Sequence, residues 1–269
     1  MEDVLTEIPP PSRFFQEDLN NFVPPLPSLP LPFLVFSNPK PSTPLRPAFL
    51  IIALSSPSLY VLHHMSSKTL IGSLILPETS FSGISAEHSL GDKSCNIYAL
   101  NGADNLVLLV LVQCNVTAER SHTVARMLIG EDIVPERVLI LDSVQSRNFR
   151  GKLSADETLA FKLETSAERG ALAGGSGGSL TLKGLDYFPS GSMIDGLPAA
   201  LLSRCQLRNI KGTLCVSWPE FGGSVVALVK SLLLNVLPNL DFSLKGEGED
   251  QYAKFSRIKD QPFDSELYT

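Results

Sequence analysis

Four histidines, four cysteines, one glycine cluster and the last three residues carry the side chains and backbone whose types and spacing could do chemistry in this chain. His63, His64, His88 and His122 could each act as a general base, with Cys114 or a serine as the nucleophile. Their spacing supports no such pairing. His63-His64 is expected to end a strand with its rings on opposite faces, His122 to lie on a polar helical turn, and His88 in a loop. No Gly-x-Ser-x-Gly elbow, HExxH pair or carboxylate pair with a metal partner occurs. A hydrolase or metalloenzyme is therefore disfavoured, and no catalytic residue, cofactor or metal site is expected. Cys95, Cys114, Cys205 and Cys215 form no CxxC pair and sit among apolar or strand-like residues, which suits reduced core thiols. Gly174-Gly175-Ser176-Gly177-Gly178 invites a phosphate-loop reading, but no Gly-Lys-Ser/Thr follows and Ser166 to Gly170 does not read as a strand. Residues 171–179 are expected to form a mobile surface loop.

The C-terminus is more specific. Leu267-Tyr268-Thr269 places an apolar side chain, an aromatic ring with a polar tip and a free carboxylate in succession. Such an ending can anchor in a narrow pocket through three different contacts, the carboxylate meeting a lysine.

The elements that would carry these residues follow from periodicity and punctuation. Twelve of the 20 prolines fall between Pro9 and Pro47, which predicts an extended arm over residues 1–47, with Phe33, Leu34 and Phe36 as apolar contacts to the core. Pro27-Ser28-Leu29-Pro30 meets the PxxP spacing of an SH3 or WW ligand, yet no basic neighbour gives it direction. From residue 48 to residue 240 the text is α/β. Ala48 to Leu54 is a continuous apolar run, the mark of a strand covered on both faces, and Ser58 to His63 is read as a second strand. Ile97 to Leu100 and Leu106 to Cys114 flank a hairpin turn at Asn101 to Asp104. Thr117 caps a helix that runs to a stop at Gly130, and Val138 to Leu141 is a buried strand. A further helix spans Leu197 to Arg208, with Leu197, Leu201 and Cys205 as its apolar stripe and Arg204 and Arg208 on its solvated side. Thr213 to Ser217 is strand-like, and Ser224 to Leu237 is a helix apolar nearly all round, which must be buried or meet a partner. Residues 241–269 read as a flexible polar tail.

Composition narrows the partners. With 22 Lys plus Arg against 28 Asp plus Glu the net charge is -6, so there is no basic field for nucleic acid. No apolar run approaches the ~18 residues of a membrane span. An acidic start, Met1-Glu2-Asp3-Val4, without an apolar segment behind it points to the cytosol or nucleus.

The block Leu197-Pro198-Ala199-Ala200-Leu201-Leu202-Ser203-Arg204-Cys205-Gln206 and the strand around Leu214 to Ser217 resemble the helix and strand core of the proteasome assembly chaperone 1 family. The Leu267-Tyr268-Thr269 ending resembles that family's C-terminus, a form of the hydrophobic-tyrosine-any motif. The likeness is strong from about Leu180 to Ser217, fair over Ala48 to Leu62, and absent from the proline-rich arm. It implies a single phosphorylase-like α/β/α domain without catalysis. It also implies a heterodimer with assembly chaperone 2 that docks on proteasome α-subunits, promotes α-ring formation and blocks premature activator binding, with Leu267, Tyr268 and Thr269 as the docking residues. The competing expectation is a nucleoside-type small-molecule enzyme on the same fold, because fold alone does not settle function.

Overall fold

The computed structural model describes residues 30–37, 43–77, 94–100, 105–154, 156–173, 182 and 184–238. The asparagine turn at 101–104, the glycine loop from residue 174, His88 and everything from residue 239 onward lie outside the described residues, as do residues 1–29. Among the described residues nine strands form one mixed sheet: β1 (Phe33–Phe36), β2 (Phe49–Ala53), β3 (Lys68–Ile75), β4 (Cys95–Leu100), β5 (Val107–Val112), β6 (Arg137–Ser143), β7 (Leu159–Glu164), β8 (Asp186–Tyr187) and β9 (Lys211–Trp218). Their order across the sheet is β1-β3-β4-β5-β2-β6-β9-β7-β8. At its centre β5, β2, β6 and β9 run parallel, and antiparallel pairing continues outward through β4, β3 and β1 on one side and through β7 on the other.

The central strands are the apolar runs of the sequence. Every residue of β2 and β5 is buried, because each strand is covered on both faces by helices. One face carries Ile51, Leu109, Leu139 and Cys215 under α1 (Ser56–His63) and α5 (Gly223–Val236). The other carries Ile52, Val110, Ile140 and Leu214 under α2 (Ala118–Leu128) and α4 (Gly196–Leu207). A shorter helix, α3 (Ser166–Ala173), follows β7. The architecture is the expected α/β/α core.

Several expectations are corrected. Ser58 to His63 is helix, not strand: Pro57 sits in the first turn, where its missing N–H costs nothing, and the Ser58 hydroxyl donates to the Ser55 carbonyl at 2.8 Å. Every residue from Ser56 to Leu62 is buried, so neither a 2-residue nor a 3.6-residue alternation was present to read. Part of the stretch read as an arm over residues 1–47 belongs to the core. Phe33–Phe36 pairs with β3 as an edge strand, and Leu45 exchanges backbone hydrogen bonds with Asp132 and Val134. The reading of Ser166 to Gly170 as not a strand holds, since these residues are helical. Thr117 occupies the N-cap of α2 in extended conformation, but its hydroxyl makes no capping bond. Gly130 follows α2 for a steric reason, since a Cβ there would stand 2.1 Å from the Arg126 carbonyl oxygen.

Gly212 is the second close approach. A Cβ would meet Cys205 Cβ at 2.9 Å and Thr165 Cγ2 at 3.1 Å, where α4 and the turn before α3 press on β9. Thr165 locks this corner by donating from Oγ1 to the Ile210 carbonyl and accepting from the Gly212 N–H, both at 3.0 Å. Gly212→Val is expected to lower stability by about 1–3 kcal/mol through overpacking, read as a shifted urea midpoint at unchanged slope.

Candidate interaction surface

In parallel α/β sheets the strand carboxyl ends are where ligands collect, so the site search begins there. The Leu141 carbonyl accepts from the Leu54 N–H at 2.9 Å, and the Ser55 and Ser58 hydroxyls stand 2.9 Å apart beside it. Ser217 Oγ donates to the Asp142 carbonyl at 3.3 Å. Three of the hydroxyls at this edge are therefore tied to the protein itself or to one another. An open cleft lies nearby, lined by Asp142, Ser143, Asn148, Met193, Asp195 and Pro198 among others, with only about 10 Å³ of space that a water could occupy. That is far below the ~300–1,000 Å³ of ordinary ligand pockets. Asn148 Nδ2 donates to Asp195 Oδ2 at 3.0 Å within it, leaving amides and carboxylates but no nucleophile and base in partnership.

The residues singled out for chemistry are scattered. His63 and His64 close α1, with rings 5.4 Å apart edge to face, instead of pointing to opposite faces of a strand; His64 Nδ1–H donates to the Tyr60 carbonyl at 2.8 Å. His122 is exposed on α2. All four cysteines are free and buried. Burial pushes the Cys205 and Cys215 thiols up to about 12, and Cys95 well above its ordinary value, so these three keep their protons at neutral pH. Among the described residues no group of three or more His, Cys, Asp or Glu could hold a metal ion. Leu267, Tyr268 and Thr269 lie outside the described residues.

The structure brings together polar groups that the sequence reading passed over. On β7, Lys162 Nζ and Glu164 Oε1 form a buried ion pair at 3.0 Å, and Tyr187 of β8 donates its hydroxyl to Glu164 Oε2 at 2.7 Å. The Lys162 ammonium also lies 5.1 Å from the centre of the Tyr187 ring, and the hydrogen bond to Glu164 raises the Tyr187 pKa. One turn into α3, the buried Glu168 carboxylate stands 3.3 Å from Arg137 Nε. The available signal was the Lys-x-Glu alternation within Leu159 to Glu164, which puts both charges on one strand face.

Lys68 is a second unanticipated group. Its ammonium donates to the His63 and Met65 carbonyls at the end of α1 and lies 5.5 Å from the Tyr98 ring centre. Burial lowers its pKa to about 8. The unfolded chain keeps this proton up to about pH 10.5, so between about 8 and 10.5 the group makes stability rise with pH. Competitive acylation read by mass spectrometry should give Lys68 an apparent pKa near 8, with exposed lysines near ~10.4; titration of Lys68 together with the exposed set would sink this expectation.

Exposure marks the surface. The helix α5, apolar round its circumference, turns out to spend Val225, Val226, Val229, Leu232, Leu233 and Val236 on its own core, leaving Leu234 38% exposed. Larger apolar exposure occurs at the β1 edge, where Leu31 is 74%, Phe33 49% and Val35 48% exposed.

No protein-family model matches the chain, and no curated protein matches it in sequence. Its fold is shared with solved structures. PbaB of Pyrococcus furiosus, an archaeal proteasome activator, aligns over 85% of this chain and 97% of its own at TM-score 0.57 and 15% identity. PbaA of the same organism, an archaeal homologue of proteasome-assembly chaperone, aligns over 86% and 94% at TM-score 0.52 and 16% identity. A protein of unknown function from Thermoplasma acidophilum aligns over 81% and 85% at TM-score 0.54 and 15% identity. At these identities the likeness is one of fold.

Proposed function

We propose that this chain is a proteasome assembly chaperone, working as one half of a heterodimer with assembly chaperone 2 on the outer face of the forming α-ring. In this reading the heterodimer promotes ring formation and keeps activators away until the ring is complete. The observation that carries the proposal is the extent of the fold likeness to PbaB, which takes in 97% of that proteasome activator. The Leu267-Tyr268-Thr269 ending supports it independently, as a motif suited to a pocket with a lysine at its base. The apolar surface at Leu31, Phe33 and Val35 is of the kind that partners cover, a role that α5 does not fill.

Two experiments test the reading. Expressed alone, the chain should self-associate or be poorly soluble; co-expressed with assembly chaperone 2 it should give a 1:1 complex that retains α-subunits on an affinity column. A well-behaved monomer that retains no α-subunit counts against it. Thermal shift with nucleosides and phosphate separates the enzyme reading, since saturable stabilisation by either would mean a ligand that binds the native state.

A further inference from the structure

The helices α2 and α4 pack side by side on one face of the sheet, and both end at the edge where the parallel strands begin. Three arginines meet at those ends. Arg126 lies in the last turn of α2, Arg204 in the last turn of α4, and Arg208 is the C-cap of α4, one turn further on. Arg204 Nε–H donates at 3.0 Å to the carbonyl of Ile129, the C-cap of α2, and so ties the two helix ends together. Arg126 and Arg208 are exposed. None of the three forms an ion pair among the described residues, although Glu131 and Asp132 follow α2 directly. Burial, with repulsion from Arg208 and then Arg126, lowers the Arg204 pKa, which places the three guanidinium groups within electrostatic reach of one another. Beside them Leu207 is 82% exposed.

Like charges at one spot oppose each other unless something offsets them. The carbonyl ends of two helices supply part of the offset. Beyond the bond to Ile129, the forked donors of the three arginines face solvent and have no protein acceptor among the described residues, in a chain whose net charge is -6. Arginine forks suit carboxylates, which they hold through two parallel hydrogen bonds. A long phosphate polymer suits this chain poorly, because the acidic remainder repels it. The exposed leucine among the cations asks for an apolar side chain, which a protein segment carries and a phosphate backbone does not.

We propose that Arg126, Arg204, Arg208 and Leu207 form a docking site for an acidic segment of a partner protein, its carboxylates held by the arginines and an apolar side chain resting on Leu207. The site is independent of the C-terminal tail and of the assembly-chaperone reading, so either can fail alone. The test uses the full-length chain and a fluorescein-labelled peptide, Glu-Glu-Leu-Glu-Glu-Leu-Glu-Glu, followed by fluorescence anisotropy at low salt. Saturable binding is expected. The double change Arg126→Glu with Arg208→Glu should weaken it about tenfold or more, with helical circular dichroism preserved and the thermal midpoint lowered by no more than about a few degrees, because both side chains are exposed and lose only their interaction with the helix carbonyl ends. Arg204 is left intact in this test, since its bond to Ile129 serves the fold. Leu207→Ser should weaken binding about threefold, and a thymidine oligonucleotide of equal charge should bind more weakly than the peptide. No saturable binding, binding indifferent to the charge reversal, or an oligonucleotide that binds as tightly as the peptide would each overturn the proposal.

Discussion

Adding one residue after Thr269 is expected, on the proposed function, to weaken binding of the proposed heterodimer to the α-ring by on the order of ten- to a hundredfold, and to leave that heterodimer itself unchanged. The reasoning starts from size. A three-residue anchor buries little area and must be ordered on binding, so its own affinity is low. On the proposed function its value lies in being tethered to a body that already touches the ring, which would give it a high effective concentration and make it a second grip. Reach does not limit it: chain from residue 241 to residue 269 has a contour length on the order of 100 Å at about 3.3 Å per residue. The added residue keeps Leu267 and Tyr268 and moves only the charge, so it isolates the carboxylate–lysine contact that the proposal assigns to Thr269. Deleting Leu267 to Thr269, or changing Tyr268→Ala, should weaken binding comparably by removing apolar and ring contacts. Ring affinity unmoved by all three changes would mean that the terminus plays no part in docking.

The C-terminal motif is a local reading, three adjacent residues and a carboxylate, and it lies outside the described residues. The central sheet was readable because Ala48 to Leu54 and Val138 to Leu141 are unbroken apolar runs with polar or proline boundaries. Where burial is complete on every side the period vanishes, and α1 was taken for a strand although Pro57 marked a first helical turn. The edge strand β1 was hidden among prolines, which an edge strand tolerates at its ends because one side of its ladder is unpaired. Non-local groupings could not be read at all. Arg126 and Arg204 lie in two different crossovers of the sheet, and only the packing of α2 on α4 brings them together. The same holds for Tyr187 and Glu164, which meet because β8 adds to β7 in parallel.

The β7 pair gives the largest expected effect on stability. Glu164→Ala should lower it by about 3–5 kcal/mol, because Lys162 would be left as a buried cation without its carboxylate and the Tyr187 hydroxyl would lose its acceptor. The opposite is expected when both charges are removed. Lys162 and Glu164 are close, at 3.0 Å, yet Glu164 Oε1 accepts no well-aligned hydrogen bond. A buried pair offsets the cost of leaving water only when its geometry is excellent and its remaining lone pairs are satisfied. The double change Lys162→Met with Glu164→Leu keeps approximate volume on a strand face that already carries Cys215 as a neighbour. It should therefore be neutral or up to about 1–4 kcal/mol more stable than the natural chain. Urea unfolding of the single and double variants decides between the readings. If Glu164→Ala costs under about 1 kcal/mol, the pair is solvated in a way its burial denies. If the double variant is as unstable as the single one, the charges hold a network, through Tyr187, that contributes more than the cost of burying them, and β8 should then detach from the sheet when Tyr187→Phe removes the bond.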